Sequence, residues 1–259
     1  MKIKKIIIVL LLCFLPIASF AQKVGETLPA WEEGYMDIHH INTGCGECAY
    51  IILPDGTTML IDAGENKAGN PRHVSPKPNA SRTPGEWIVD YIKTMAPVQK
   101  QKLDYALITH FHSDHMGGVL KMKNESGRYY NTGIITVAEN LQIGMLVDRG
   151  FPDYNFLVNT EDKMIKNYFN FLHFTKRKMN VEQFVPGVDN QFRLLYDSTR
   201  YAGRFKIQNI YANGWLWTGK EHEKRYLFPD FDTLEKYDIP QENTLSCAIK
   251  IVYGNFSYY

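Results

Sequence analysis

Cysteine is scarce in this sequence, which excludes a fold that disulfide bonds hold together. The 259 residues contain four cysteines, and one of them, Cys13, lies in the apolar leader described below. The other three are Cys45, Cys48 and Cys247, an odd number, so at least one thiol is free or pairs with another molecule. A hydrophobic core must therefore stabilise the fold, and 44% apolar residues provide the material for it.

Long apolar runs and a strong net charge are also missing. Beyond the N-terminal leader, no apolar segment is long enough to cross a membrane. The 29 basic and 28 acidic residues give a net charge of +1, which becomes −2 when the three lysines of the leader are removed. This balance argues against broad, non-specific binding to nucleic acid. The chain also lacks repeats and low-complexity tracts, so we expect one large domain.

The N-terminus has the pattern of a secretory signal. Three lysines within the first five residues precede an apolar run, and Ser19-Phe20-Ala21 forms a small-x-small cleavage site. We therefore predict a signal peptide over residues 1–21, a polar lead-in over 22–35 and one domain over 36–259. The prediction implies export to the periplasm or the extracellular space, with no stable membrane anchor after cleavage.

Apolar periodicity predicts strands separated by helices. The predicted strands are Met36–Ile41, Tyr50–Leu53, Thr58–Ile61, Leu103–Thr109, Ile134–Val137, Phe192–Tyr196, Phe205–Tyr211 and Leu245–Val252. The predicted helices run from Pro84 to about Met95 and over Asp162–Lys178. This alternation indicates a layered α/β domain.

Three histidines and an aspartate lie within six residues, directly after a predicted strand and before Gly117-Gly118. They are His110, His112, Asp114 and His115. Imidazole and carboxylate groups are the ligands that zinc prefers in hydrolytic sites. We expect the first two histidines to bind one ion, and Asp114 and His115 to bind a second. A surface histidine cluster is the alternative, but the strand before and the glycine pair after favour a metal site.

Two segments resemble the metallo-β-lactamase superfamily of hydrolases. Thr109–Gly118 is similar to the main motif of that family, and Met59–Gly64, an apolar strand that ends at Asp62, is similar to its first motif. The resemblance implies a four-layer αββα sandwich with two zinc ions at one edge of its sheets. It also implies that Asp62 orients the ligand loop through hydrogen bonds. An Asp that only caps a turn is the alternative interpretation.

One branch of the family is closer in pattern than the others. Ile41–Gly64, with its Pro-Asp-Gly hairpin, and Glu242–Ser246 resemble the ComEC-type competence-protein branch. In that branch a later strand ends in Gly-Asp, where the Asp bridges the metals, and a His-His-Gly segment follows. The sequence stops at Tyr259, just after Phe256 begins a return strand. We therefore expect a C-terminal truncation that removes part of the sandwich and of the site.

The resemblance implies metal-assisted hydrolysis of a phosphoester, nucleic acid included, or of another small molecule. Asp114 is the predicted catalytic residue, as a ligand that also accepts a proton. A hydrolase of β-lactams or lactones is one alternative. The other is an inactive or purely metal-binding fragment, because a catalytic zinc usually has three protein ligands and His110 and His112 show no third partner in the sequence.

Two further residues are predicted as possible substrate contacts. His73 lies in a long polar loop near the motif, where a solvated histidine is the alternative. Arg149 could hold a phosphate or carboxylate group, and a structural contact with Asp148 is the alternative. Cys45 and Cys48 form a C-x-x-C in a loop, which predicts a local disulfide or two idle thiols, with a redox or metal role as the alternative.

Overall fold

A computed structural model describes most of the chain in several stretches. These are residues 25–44, 46–65, 74–97, 102–175, 179–236 and 238–259. The predicted signal peptide, Cys45 and His73 lie outside them. The chain divides into a unit of residues 1–30, of which 25–30 are exposed and form no helix or strand, and a unit of residues 31–259. Within the described stretches, no helix has both the length and the apolar character needed to cross a membrane.

The described part of the second unit contains thirteen strands and four α-helices. The strands are β1 Asp37–His40, β2 Ala49–Ile52, β3 Thr58–Ile61, β4 Lys102–Leu107, β5 Met122–Lys123, β6 Tyr130–Asn131, β7 Gln142–Asp148, β8 Asn180–Gln183, β9 Phe205–Ala212, β10 Trp215–Trp217, β11 Lys224–Tyr226, β12 Ala248–Tyr253 and β13 Phe256–Tyr258. The helices are α1 Pro84–Met95, α2 Ser113–Met116, α3 Gly133–Asn140 and α4 Lys163–Thr175. Two 3-10 turns cover Phe231–Thr233 and Glu242–Leu245.

Two sheets form the centre of the domain. The first has the order β1-β2-β3-β4-β7-β8, with antiparallel pairs from β1 to β3 and parallel pairs from β3 to β8. The second has the order β11-β10-β9-β12-β13 and is antiparallel throughout. The short strands β5 and β6 pair separately. The chain is therefore an α/β sandwich, as the sequence predicts.

Alternating side chains divide the core into two layers. Along β2 and the residue that follows it, Tyr50 and Ile52 pack with α1, α3 and α4, whereas Ile51 and Leu53 pack against the second sheet. Successive residues of a strand point to opposite faces, so one strand serves both layers. The order of layers is helices, first sheet, second sheet. The described residues from 179 onwards form no α-helix, so the second helical layer of the expected αββα arrangement is not among them.

Two predicted strands are wrong, for different reasons. Ile134–Val137 lies inside α3. All four residues are buried, and a short apolar run does not distinguish a strand from a buried helix. Phe192–Tyr196 forms no strand. Its backbone is bound by side chains instead, since Leu195 N–H donates to Thr57 Oγ1 and Tyr196 N–H donates to an Asp55 carboxylate oxygen, each at 2.8 Å.

Local signals fixed the start of α1. Thr83 accepts the N–H of Glu86, and the Glu86 carboxylate accepts the Thr83 N–H at 2.7 Å, while Pro84 occupies the first helical position. This reciprocal capping satisfies backbone donors that no helical carbonyl can reach. The predicted start of the helix is confirmed.

Candidate metal centre

The predicted ligands follow β4, at the edge where parallel strands end. Because β3 and β4 are parallel neighbours, the residues after each strand meet at the same edge. The N–H of Asp62 donates to Leu107 O at 2.8 Å, and Cys247 N–H, just before β12, donates to Thr109 O at 2.8 Å. Both sheets therefore contact the start of the histidine segment.

Asp62 is the hub of the hydrogen bonds beneath the histidines. One carboxylate oxygen accepts the Thr109 N–H at 2.8 Å, and the other accepts the Thr109 hydroxyl at 2.7 Å and the Nδ1–H of His115 at 2.7 Å. Asp62 is 2% exposed and has a φ of 59°, a left-handed conformation that non-glycine residues adopt only when their surroundings hold them there. The network supplies that support.

His110 and His112 bring two nitrogen atoms together. His110 Nε2 lies 3.2 Å from His112 Nδ1. Two imidazole nitrogens bound to one tetrahedral zinc, with bonds of about 2.05 Å, are about 3.3 Å apart. His110 Nδ1 lies 3.2 Å from the Thr109 hydroxyl oxygen, which donates its own hydrogen to Asp62 and can accept from this nitrogen. The Nε2 lone pair of His110 is then free to bind a metal.

Asp114 and His115 form a second pair of donor atoms. His115 uses its Nδ1 for Asp62, which leaves Nε2 as the metal-binding nitrogen of the neutral ring. That Nε2 lies 4.0 Å from Asp114 Oδ2, and the Asp114 side chain is 46% exposed. The rings of His110 and His115 are 3.9 Å apart between centroids, so the two donor pairs are adjacent.

The donor chemistry fits zinc, but neither coordination shell is complete. Nitrogen and carboxylate oxygen atoms are suitable ligands, and each pair has the composition that a hydrolytic site uses. In the described part of the chain, no group of three or more His, Cys, Asp or Glu side chains is arranged to hold one ion. Each pair would need a further ligand.

Burial and neighbouring groups shift the pKa values of His110 and His115 in opposite directions. Burial lowers the pKa of His110 to about 4, and the adjacent His115 and His112 rings act in the same direction. Burial alone would also lower the pKa of His115, but the hydrogen bond and charge of Asp62 outweigh it and raise that pKa. His110 is therefore a neutral imidazole near neutral pH, the form that binds a metal.

Glu242 anchors the histidine segment from a distant part of the chain. Its Oε1 accepts the N–H of Phe111, which lies between His110 and His112, at 2.8 Å. The same oxygen accepts Arg149 Nε–H at 2.8 Å, and Arg149 also pairs with the second carboxylate oxygen. Glu242 lies in a segment that resembles the ComEC-type branch, but no role for it is predicted from the sequence. Because 131 residues separate Glu242 from Phe111, no local sequence pattern indicates that they are in contact.

Arg149 lies in the core and not at a substrate surface. Its side chain is 0% exposed, and its guanidinium lies 4.8 Å from the centre of the Phe111 ring. Besides Glu242, it donates to the carbonyls of Phe156 and Leu157 and to Asn213 Oδ1, at 3.0 to 3.3 Å. We therefore assign Arg149 a structural role in place of the expected substrate contact.

The alternative contact of Arg149 with Asp148 is not formed either. Asp148 is fully buried and accepts the hydroxyls of Tyr154 and Tyr168, each at 2.8 Å. It also accepts two backbone N–H groups of the following turn at 2.8 Å. Asp148 thus holds the turn after β7, and Arg149 at its start points towards Glu242.

The loop after β3 packs tightly on the backbone of α2. Ala63 N–H donates to His115 O at 2.7 Å, and Glu65 N–H donates to Ser113 O at 3.0 Å. A Cβ atom on Gly64 would clash with the Asp114 carbonyl oxygen, so only glycine allows this approach. The positions of Asp114 and His115 therefore depend on Gly64.

A cavity of about 380 Å³ adjoins the cluster. Its lining includes Asp62, Thr109, His110 and His115, together with His40 and Tyr258. No site role for His40 or Tyr258 is predicted from the sequence. The Tyr258 hydroxyl lies 3.4 Å from His40 Nε2. The cavity therefore reaches His110 and His115, whereas His112 and Asp114 are not among its lining residues.

The two described cysteines of the domain are free and buried. Burial raises the pKa of the Cys48 thiol and of the Cys247 thiol well above the usual value. A buried thiol with a raised pKa is unreactive, so Cys48 and Cys247 are idle thiols. The predicted C-x-x-C pair also includes Cys45, which lies outside the described residues.

The histidine segment lies in the part of the chain that is similar to a known protein family. Residues 42–127 match the family model of the metallo-beta-lactamase superfamily. The match covers about a third of the chain and includes Asp62 and the four predicted ligands. No curated protein matches the chain. Among solved structures, the chain is similar to Zn²⁺-bound PqqB from Methylobacterium extorquens, with a TM-score of 0.36 and 9% sequence identity over 82% of this chain and 50% of that one. The chain thus spans half the length of PqqB.

Proposed function

We propose that this protein is an exported, metal-dependent hydrolase that uses two zinc ions and acts on a phosphoester. The observation that carries the proposal is the approach of His110 Nε2 to His112 Nδ1 at 3.2 Å, beside the Asp114 and His115 pair. The family match over residues 42–127 supports metal-dependent hydrolysis in general. Zinc ions bound there would supply Lewis-acid activation of water.

The residues of the chain divide the remaining work. His110 and His112 would hold one ion, and Asp114 and His115 would hold the other. Asp62 keeps the Nε2 atom of His115 available by binding its Nδ1–H, and it orients His110 through the Thr109 hydroxyl. The half-exposed Asp114 carboxylate faces solvent, where it can accept a proton from the attacking water.

The choice of a phosphoester rests on the resemblance to the ComEC-type branch. β-Lactams and lactones are the alternative substrates, because the same chemistry cleaves amide and ester bonds. Assays with bis(4-nitrophenyl) phosphate, single-stranded DNA, nitrocefin and a γ-lactone distinguish them. Hydrolysis of the phosphodiesters alone is expected, and hydrolysis of nitrocefin or the lactone alone would select the alternative.

A second candidate function is metal binding without catalysis. It is favoured by the lack, among the described residues, of a third donor for either pair. Calorimetric titration with Zn²⁺ and the hydrolysis assays on the same sample separate the two candidates. Two tightly bound ions with turnover support the hydrolase, whereas bound zinc without turnover supports the second candidate.

His112→Ala tests the residues themselves. We expect zinc affinity to fall roughly 100-fold or more, because a direct ligand contributes at least as much as the residues that orient it. His173→Ala is the matched control, since this histidine is exposed on α4, away from the cluster. Equal zinc affinity in both variants would refute the proposed ligand set.

A further inference from the structure

A second cavity lies away from the histidine cluster. It has a volume of about 340 Å³ and is bounded by the loop after β1, the segment 74–83, the start of α1 and the segment after α2. It shares no lining residue with the cavity at His110, as far as the described residues define both. Its size is at the lower end of the range for small-molecule pockets.

Glu65 contributes a buried carboxylate to this cavity. The residue is 1% exposed. Its Oε2 accepts the Gly133 N–H at 3.2 Å and the Thr132 hydroxyl, both neutral donors. Its Oε1 is buried and has no hydrogen-bond partner in the described part of the chain.

An unpartnered carboxylate oxygen in a buried position is costly. A buried charged group that lacks a donor loses more solvation free energy than its remaining hydrogen bonds return. Burial accordingly raises the pKa of the Glu65 carboxyl, and the charge of Glu86 acts in the same direction, although hydrogen bonds from Thr132 and from the backbone N–H groups of Gly133 and Val119 oppose this. A ligand that placed a cationic donor on Oε1 would remove the cost.

The other groups around the cavity narrow the choice of ligand. Ile41, Ile88 and Val119 provide apolar wall. Glu86 uses one carboxylate oxygen for the helix cap, and the Arg82 guanidinium forms an ion pair with Asp90. These contacts leave Glu65 as the buried carboxyl group with a free oxygen.

We propose that this cavity binds a small organic amine, whose ammonium group donates to Glu65 Oε1 and whose apolar body packs on Ile88 and Val119. A charge-assisted hydrogen bond is about twice as strong as a neutral one, which favours an ammonium over a hydroxyl group. The exposed Lys77 and Lys121 also line the cavity, and their charges disfavour a ligand that carries several positive charges.

Calorimetry of the full chain tests the proposal with benzylammonium, 2-phenylethylammonium and butylammonium. At least one of these should bind, and 2-phenylethanol, which has the same body without the charge, should bind roughly tenfold or more weakly than 2-phenylethylammonium. Failure of all three amines to bind, or equal binding of the alcohol, would overturn the proposal. This comparison uses the unaltered protein and does not depend on the folding of a variant.

Two glutamine variants locate the binding group. Glu65→Gln removes the charge at Oε1, and amine affinity should fall roughly tenfold to 100-fold. Glu86→Gln is the matched control, because it removes a carboxylate from the same cavity and glutamine still supports the helix cap. Unchanged affinity in Glu65→Gln, or an equal loss in both variants, would refute a specific role of Glu65.

The amine site is independent of the proposed hydrolase. His110→Ala should abolish zinc binding at the first donor pair and leave amine affinity unchanged, since His110 does not line this cavity. Loss of amine binding in His110→Ala would place the amine at the histidine cluster and contradict the proposal. Failure of the hydrolase assays alone would not affect it.

Discussion

Removal of one partner from the Arg149–Glu242 ion pair should destabilise the domain and loosen the histidine segment. Arg149 is fully buried and the Glu242 side chain is 14% exposed, so solvent cannot replace a lost partner. Arg149→Met would leave the Glu242 charge uncompensated and three oxygen acceptors without donors. Breaking a buried ion pair in this way costs about 3 to 5 kcal/mol.

Glu242→Gln separates the charge from the anchoring contact. Glutamine keeps a carbonyl oxygen that can accept the Phe111 N–H, but it leaves the Arg149 guanidinium buried without an anion. We expect about 3 kcal/mol of destabilisation. In the double variant both charges are absent, so its cost should be below the sum of the single costs by about 1 to 3 kcal/mol.

Urea unfolding followed by circular dichroism, in the presence of a metal chelator, measures all three variants. The exposed pair of Lys166 and Glu161 is the control, and its disruption should leave the unfolding free energy nearly unchanged, because solvent screens an exposed ion pair. Single-variant costs that match this control, or costs that add within about 0.5 kcal/mol in the double variant, would refute the anchoring role. Zinc titration of Glu242→Gln then shows whether the anchor also supports metal binding.

Three further predictions concern the loop after β3 and the base of the first sheet. Gly64→Ala should cost about 2 to 4 kcal/mol in urea unfolding and weaken zinc binding, because its methyl group would displace Asp114. Asp62→Asn should weaken zinc binding about 10- to 100-fold in a chelator competition, with a smaller effect on unfolding. Asp55 is buried, and burial by itself raises the pKa of its carboxyl group. Hydrogen bonds from three backbone N–H donors outweigh this effect and lower that pKa. Because its folded-state pKa lies below the unfolded value near 3.8, its contribution to stability is present above that pH and is lost as pH falls through the folded value. The difference in unfolding free energy between the wild type and Asp55→Asn should therefore shrink from pH 5 to pH 2.

The sequence predicts the parts of this molecule that local patterns determine. The strands β2, β3, β4, β9 and β12 and the start of α1 are found close to their predicted bounds, since alternation and capping are local signals. The strand predicted over Ile134–Val137 is wrong because tertiary burial, and not periodicity, determines the conformation of this segment. Glu242 and Arg149 could not be assigned because their partners are far apart in sequence and meet only through the packing of the two sheets.

The hydrogen bonds around Asp62 explain how the four predicted ligands could act as one unit. His115 is fixed directly by Asp62 and His110 indirectly through Thr109, whereas His112 is exposed and Asp114 is half-exposed. Each donor pair thus combines one side chain that this network orients with one that can adjust. A rigid donor reduces the entropy lost on binding, and an adjustable donor lets the pair meet the bond length of the ion. Both fixed histidines depend on Asp62, so substitution of Asp62 should weaken the binding of both proposed ions. Substitution of His112 or Asp114 should weaken the binding of one ion more than that of the other.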